Sequence, residues 1–496
     1  MKKVIIIGAG IAGLTCGVYA QKSGFETEIY ELHTIPGGEC TGWDRKGYHF
    51  DGCLHWLVGS KPGTALNKIW RETGALDASV KIINYDVFSR YVEGDIAVNL
   101  YTNAAKLEKH LAGLFPEDRA EIKKLCTALR KMGDFGMPLE KPMDMMTASD
   151  GLKFAAKNIG SLAKVSRYNK MSMKELTAVF KSPVLRRAIL AAFPEDYTAM
   201  AFISTLAGMN VGDCGFPQGG SRALAKRMER KFLSLGGKVF YQAKADKILI
   251  ENGKAVGIKL TDGREIFADH IVSCADGYGT FMHMLDDKYT PELYKNLFEH
   301  PKEYPTITSA LVFLGVNAEI PFEYRGIELH RDKPYSAGGI KSDCAMITHY
   351  GFDGTMAPMG KTVLGCYYLA DYDYWRALSE DKERYLAEKK KLEEDAISEI
   401  KKCYPGIEGK IEVTDVVTPV TYARYCNAWR GTWMTWVKRD KAIPQYFPGV
   451  LPGLENFIIA GMWTMPPGGL PGAAAAGRFA AQRLCIQNGM TFQLEG

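Results

Sequence analysis

Gly8, Gly10 and Gly13, with Glu31 further on, are the residues whose types and spacing point first to chemistry. In a Gly-x-Gly-x-x-Gly turn the first glycine permits the sharp bend and the second lets backbone approach a pyrophosphate. The third lets a helix pack close to the strand. Phosphates would sit at the helix N-terminus, where free N–H groups and the helix dipole favour negative charge. Glu31 stands near the distance expected for a carboxylate that grips a ribose hydroxyl. A plain strand-to-helix turn would explain the glycines alone, but not the acid in register with them.

Three elements must position these residues. The β-branched run Val4 to Ile7 reads as a buried strand, Leu14 to Ser23 as a helix, and Glu26 to Tyr30 as a second strand ending in Glu31. Soon after come Gly37 and Gly38, then Phe50-Asp51-Gly52-Cys53-Leu54-His55-Trp56. Paired glycines so close to the ribose acid suit a cofactor that continues along the protein past its pyrophosphate, which an NAD-binding unit would not require. An ordinary glycine turn is the competing reading.

The chain has 496 residues, enough for two or more domains. A net charge of +5 gives no case for a nucleic-acid partner, and the 11 cysteines show neither a Cys-x-x-Cys pair nor zinc spacing. No metal is expected. No apolar run approaches a membrane span. Met1-Lys2-Lys3 and the apolar run could mimic a signal peptide, but cleavage would destroy the glycine turn. The expected location is cytoplasmic, with peripheral attachment to a membrane surface open.

From about Lys81 to Asn210 the chain is richer in Met and Lys, with helical periodicity. Leu152 to Lys170 holds Lys153, Lys157, Lys164, Arg167 and Lys170 and no acid, with Leu152, Ile159, Leu162 and Ala163 as apolar surface. Such a helix could lie in a membrane interface or act as a solvated lid over a pocket. Pro217-Gln218-Gly219-Gly220 precedes a helix from Ser221 to Leu235. Strand-like runs from Lys238 to Ser273, joined by Asn252-Gly253 and Asp262-Gly263, form a β-meander, and the run from His270 returns to a parallel sheet. A charged helix starts near Ser379 and stops before Pro405, with Leu386, Leu392, Ala396 and Ile400 turned inward. The last segment is strand (Asn456 to Gly461), glycine loop (Met462 to Gly472) and small-residue helix (Ala473 to Gln487). It offers a second helix N-terminus, suited to the electron-rich edge of a ring.

Taken in order, these motifs and the closing Ala460-Gly461…Pro467-Gly468-Gly469-Leu470-Pro471-Gly472 resemble the FAD-dependent phytoene desaturase, carotenoid isomerase and retinol saturase group. That group belongs to the wider amine-oxidase-like flavoprotein superfamily. The resemblance covers nearly the whole chain and is weakest from Lys81 to Asn210. It implies an α/β architecture: a discontinuous Rossmann-type FAD-binding domain from residues 1–80, 211–285 and 425–496, with a mixed α+β substrate-binding domain. Residues 81–210 would form a helical lid or membrane-contact region and 286–424 an α+β substrate region.

Carried over residue by residue, Gly8, Gly10, Ile11, Ala12, Gly13 and Glu31 would hold the ADP half of FAD. Gly38, Glu39 and Cys40 would flank the pyrophosphate and ribityl chain, Ala245 would offer backbone to the adenine, and Gly461, Met462, Leu470 and Ala473 would border the ribityl and flavin ring. Two positions depart from relatives. Many have Gly-Pro after the Phe-Asp motif where this chain has Gly52-Cys53-Leu54-His55, and many place an acid where Met462 stands.

The resemblance implies an enzyme acting on carbon–carbon double bonds of a long apolar molecule, by desaturation, saturation or isomerisation. A flavin carries the hydride chemistry itself, so no catalytic triad is needed. His55 is the candidate proton donor or acceptor because imidazole titrates near neutral pH; a histidine satisfied by backbone is the competing reading. Cys53 could tune the flavin or simply pack. Tyr422, Tyr425, Trp429, Trp433 and Trp436 are candidates to line an apolar tunnel. The electron partner stays open among a quinone, another flavoprotein, oxygen or none. A flavin amine-type oxidase, and a non-catalytic FAD protein at a membrane surface, are the rival readings.

Overall fold

A computed structural model describes residues 1–133, 136, 138–437, 443 and 445–495, with the backbone alone described at 157, 159–164 and 337. The run from Val4 to Ile7 is too apolar to face water on either side. It becomes the middle strand (Lys3–Ile7) of a five-stranded parallel sheet, in the order Phe457–Ile459, His270–Ser273, Lys3–Ile7, Glu26–Tyr30, Lys238–Phe240. Both faces are covered, as parallel sheets require. Val4 and Ile6 point into one apolar cluster with Leu14, Leu224, Met228 and Phe479. Ile5 and Ile7 point into another with Ile248, Ile258 and Trp463.

The helix Ile11–Lys22 is apolar nearly all round, and Ile11 to Ala20 are all buried. A helix of that kind must be enclosed. It lies against the sheet and between the helices Gly220–Ser234 and Gly469–Gln487. Two close approaches make this fit. A Cβ at Gly13 would stand 2.0 Å from the carbonyl oxygen of Gly8, and one at Gly477 would stand 2.3 Å from that of Ala12.

The meander on the opposite face has three strands, Ala245–Glu251, Lys254–Leu260 and Glu265–Phe267. Lys238–Phe240, which the turn pattern assigned to it, instead extends the parallel sheet beside Glu26–Tyr30. The reason is a long-range pairing that no local turn signal reports.

A second, seven-stranded sheet runs in the order Ile411–Val417, Ser309–Val316, Thr362–Leu369, Ile340–His349, Gly326–Ala337, Val87–Glu93, Ile96–Tyr101. Its last two strands come from the region expected to be helical. They form a hairpin around Gly94 (φ 56°), and Val87–Glu93 pairs parallel with Gly326–Ala337. The helices of that region, Ala104–Leu114 through Ala199–Asn210, enclose their own core of Leu107, Leu125, Ile189, Phe202 and Leu206. The charged helix spans Lys382–Cys403, with the Asp381 carboxylate accepting from the N–H groups of Glu383 and Arg384. Leu392, Ala396 and Ile400 are buried against the sheet, but Leu386 is 51% exposed and lies off that face.

Candidate functional site

One cavity of about 1440 Å³ is lined from both sheets and from the helical region. That is larger than most small-molecule pockets, which hold about 300–1,000 Å³. Gly8, Gly10, Ile11, Ala12, Glu31, Gly38, Glu39, Cys40, His55, Ala245, Gly461, Met462, Leu470 and Ala473 all lie on its wall. Gly13 does not; it faces Gly8, and its part is to let the helix close on the turn.

The end built by the glycine loops fits an adenine dinucleotide. Two helices, Ile11–Lys22 and Gly469–Gln487, start at this cavity, and neither has a side chain capping its first turn. Uncapped N–H groups are donors for an anion. Glu31 is held rigidly, one carboxylate oxygen accepting from Ala9 N at 2.7 Å and the other from His33 N at 2.8 Å. Glu39 Oε1 is sealed from solvent with no protein partner. Burial pushes the Glu39 carboxyl well above the usual range, with Asp276 adding to the rise. Cys40 donates to Ser221 O at 3.6 Å. A hydrogen bond with Cys40, and then burial, keep Cys53 a thiol.

The other end is apolar, with a few polar groups. Trp56 meets the Phe88 ring edge-on at 5.5 Å and Phe193 lies 6.3 Å away; Leu311, Met346 and Leu369 complete this wall. Of the five expected tunnel aromatics, Tyr422 and Trp433 line the cavity. Tyr425 is 46% exposed, and Trp429 and Trp436 pack on Trp463 in the core beneath. Those two rings fill space between layers rather than facing a ligand. Of the basic helix, now Ala148–Asn169, Asp150, Lys153, Phe154 and Asn158 line the cavity. The side chains of Lys157, Ile159, Leu162, Ala163 and Lys164 lie outside the described residues.

His55 follows a turn that Asp51 organises, its Oδ1 accepting from Cys53 N at 3.1 Å and Leu54 N at 2.9 Å. Arg325 Nη2 lies 3.0 Å from His55 Nδ1. Arginine can only donate, so Nδ1 accepts and the ring hydrogen sits on Nε2. Burial and the Arg325 charge push the imidazole down from 6.5 to about 3. The near-neutral titration argued from the sequence is therefore absent. His55 is a neutral donor through Nε2.

Arg325 and Glu328 were not singled out by sequence reasoning. Strand alternation after Arg325 sends Ile327 into the core and Glu328 to the cavity, yet nothing local says which face holds a cavity. Burial pushes the Glu328 carboxyl up to about 7, against the lowering effect of its bond from Ser89 Oγ and of Arg325. The folded protein thus holds this proton to higher pH than the unfolded chain. The resulting stability is present below pH 4.5 and lost as pH rises through about 7. We expect Glu328→Gln to remove that loss, read as melting temperature between pH 4.5 and 8. Parallel curves for parent and variant would contradict the assignment.

The family description "Flavin containing amine oxidoreductase" matches residues 11–485. The chain is 23% identical to prolycopene isomerase, chloroplastic, of Daucus carota over 98% of its own length and 80% of that protein. It is 25% identical to a lycopene-forming phytoene desaturase of Paracoccus sp., covering 97% of each. A putrescine oxidase variant redesigned for cofactor binding shares the fold, with a TM-score of 0.60 at 15% identity over 98% of this chain and 99% of that one. Among the described residues no helix is long and apolar enough to cross a membrane. With a glycine cradle, a rigid ribose acid and two open helix ends on one cavity, the chain belongs to the flavin containing amine oxidoreductase family, an FAD-dependent oxidoreductase.

Proposed function

We propose that this enzyme acts on carbon–carbon double bonds of a long polyene, by desaturation, saturation or isomerisation. The observation that carries the reading is the continuity of the cofactor cradle with an apolar chamber walled by Trp56, Phe88, Phe193, Leu311, Met346 and Leu369. The two relatives named for carotenoid chemistry support it. FAD supplies hydride transfer when bound. Gly8, Gly10 and the start of Ile11–Lys22 would hold its phosphates, Glu31 would take the ribose, and Met462, with Leu470 and Ala473 at the start of Gly469–Gln487, would border the ring.

The chain's own residues then divide the remaining work. Apolar side chains exclude water and align the polyene. His55 stays a neutral imidazole, because burial and then the Arg325 charge disfavour a second proton on the ring, and its Nε2–H is available as a hydrogen-bond donor. Glu328, near 7, is a group on this wall able to hold or release a proton at its carboxyl oxygen. An amine-oxidase reading is disfavoured by the buried Arg325 cation, which would repel a protonated amine in the same chamber.

Anaerobic spectroscopy of oxidised and photoreduced holoenzyme with a panel of polyenes, and product analysis alongside, tests the proposal. Bleaching of the oxidised form means desaturation, and reoxidation of the reduced form means saturation. A changed double bond with the colour unchanged means isomerisation. Silence from every polyene, with bleaching by amines, would reverse the assignment.

A further inference from the structure

Arg325 has no ion-pair partner among the described residues, although its charge acts from farther off on the Glu328 carboxyl. It is 7% exposed, lines the cavity, and has no described carboxylate within 4.0 Å of its guanidinium. Its side-chain hydrogen bond runs to the neutral imidazole of His55, and Nε has no acceptor. The Tyr85 ring lies 5.5 Å from the guanidinium carbon and supplies a face, not a counter-charge.

Two acids that line the same cavity are engaged with other donors. Asp51 accepts from Cys53 N, Leu54 N and both Ser221 N and Oγ, and Glu328 accepts from Ser89. A cation withdrawn from water without a partner is among the most costly things a fold can hold, and such groups are ordinarily paired. Lys61, Lys153 and Lys244 also reach the cavity, but they keep contact with water at its rim and gain little from an anion there.

We propose that the apolar substrate ends in a carboxylate and that Arg325 is the group that receives it. This rests on the reading of the chamber as the double-bond substrate's site, and adds the chemistry of one end of that substrate. A planar carboxylate matches the planar guanidinium fork. His55 holds that fork in place through Nδ1 without cancelling its charge. The head at Arg325 would fix how far the chain reaches toward the cofactor, so which double bond is presented becomes a matter of length.

The test is equilibrium binding to oxidised holoenzyme of three chain-matched probes: retinoic acid, retinol and retinyl phosphate. Binding is read rather than turnover. An acid preference with no double-bond change in any polyene would therefore sink the catalytic reading and leave this one standing. We expect the acid to bind about 30-fold more tightly than the alcohol, the scale of a buried charge pair. Arg325→Met should erase the difference with flavin content unchanged, and Arg325→Lys should keep part of it. Equal binding of acid and alcohol, tighter binding of the phosphate, or an acid preference that survives Arg325→Met would each overturn the proposal. Loss of FAD from both variants would also overturn it, because Arg325 would then serve the cofactor.

Discussion

Gly13→Ala yields a protein that no longer retains FAD. The new methyl would stand 2.0 Å from the Gly8 carbonyl oxygen and 3.4 Å from an Ile6 side-chain carbon, so backbone itself has to move. Both Gly8 and the helix it leads into are fixed by the sheet, with Gly8 N donating to Tyr30 O at 2.8 Å. Overpacking of this kind costs about 3 kcal/mol at the upper end of its usual range. Any relief must open the turn that approaches the pyrophosphate. Flavin-to-protein ratio after purification and the melting temperature are the measurements. Gly113→Ala is the control: a methyl there meets nothing within 4 Å, and stability should hold or rise slightly. A Gly13→Ala protein with full flavin and an unshifted melting point would show that the close approach is not needed.

Asp51→Ala should be nearly as damaging, by a different route. One buried carboxylate receives Cys53 N, Leu54 N, Ser221 N and Ser221 Oγ at 2.6–3.1 Å. It also sits at the start of the helix Gly220–Ser234, where the dipole favours a negative charge. Removing it strands several buried donors at once, and a single hydrogen bond to a charged group contributes about 1.5–3 kcal/mol. We expect a loss of about 3 kcal/mol or more on that basis, together with displacement of the turn that carries His55. Asp51→Asn keeps one good acceptor and should recover part of the stability. Thermal melts of the two variants decide it, and an alanine variant as stable as the parent would show that water replaces the carboxylate.

The parts of the site legible in the sequence are those written in local patterns. The turn at Gly8 to Gly13, the strand before it and the acid at Glu31 all follow from short-range sterics and periodicity. So does the inward face of the charged helix at Leu392, Ala396 and Ile400; Leu386 misled because, six residues before Leu392, it is rotated about 120° from the buried stripe. What could not be read depends on pairing between distant segments. Lys238–Phe240 looks like the first strand of a meander, and only its partner Glu26–Tyr30 makes it the edge of the parallel sheet. The titration of His55 was misjudged for the same reason. Burial among distant segments is the larger cause and Arg325, 270 positions away, the second, and no spacing reports either.

The order of strands in the parallel sheet also has a consequence for how the protein is made. Lys3–Ile7 is made well before its neighbour His270–Ser273, the outer strand Phe457–Ile459 and the helix Gly469–Gln487 that closes over Ile11–Lys22. At about 5–20 residues per second, roughly half a minute to a minute and a half of translation separates the first strand from the last. Until that last helix is made, Ala12, Thr15 and Tyr19, which meet Gly477 and Arg478 in the finished protein, lack its cover. The cavity wall is therefore complete only once Leu470 and Ala473 of the last helix are in place.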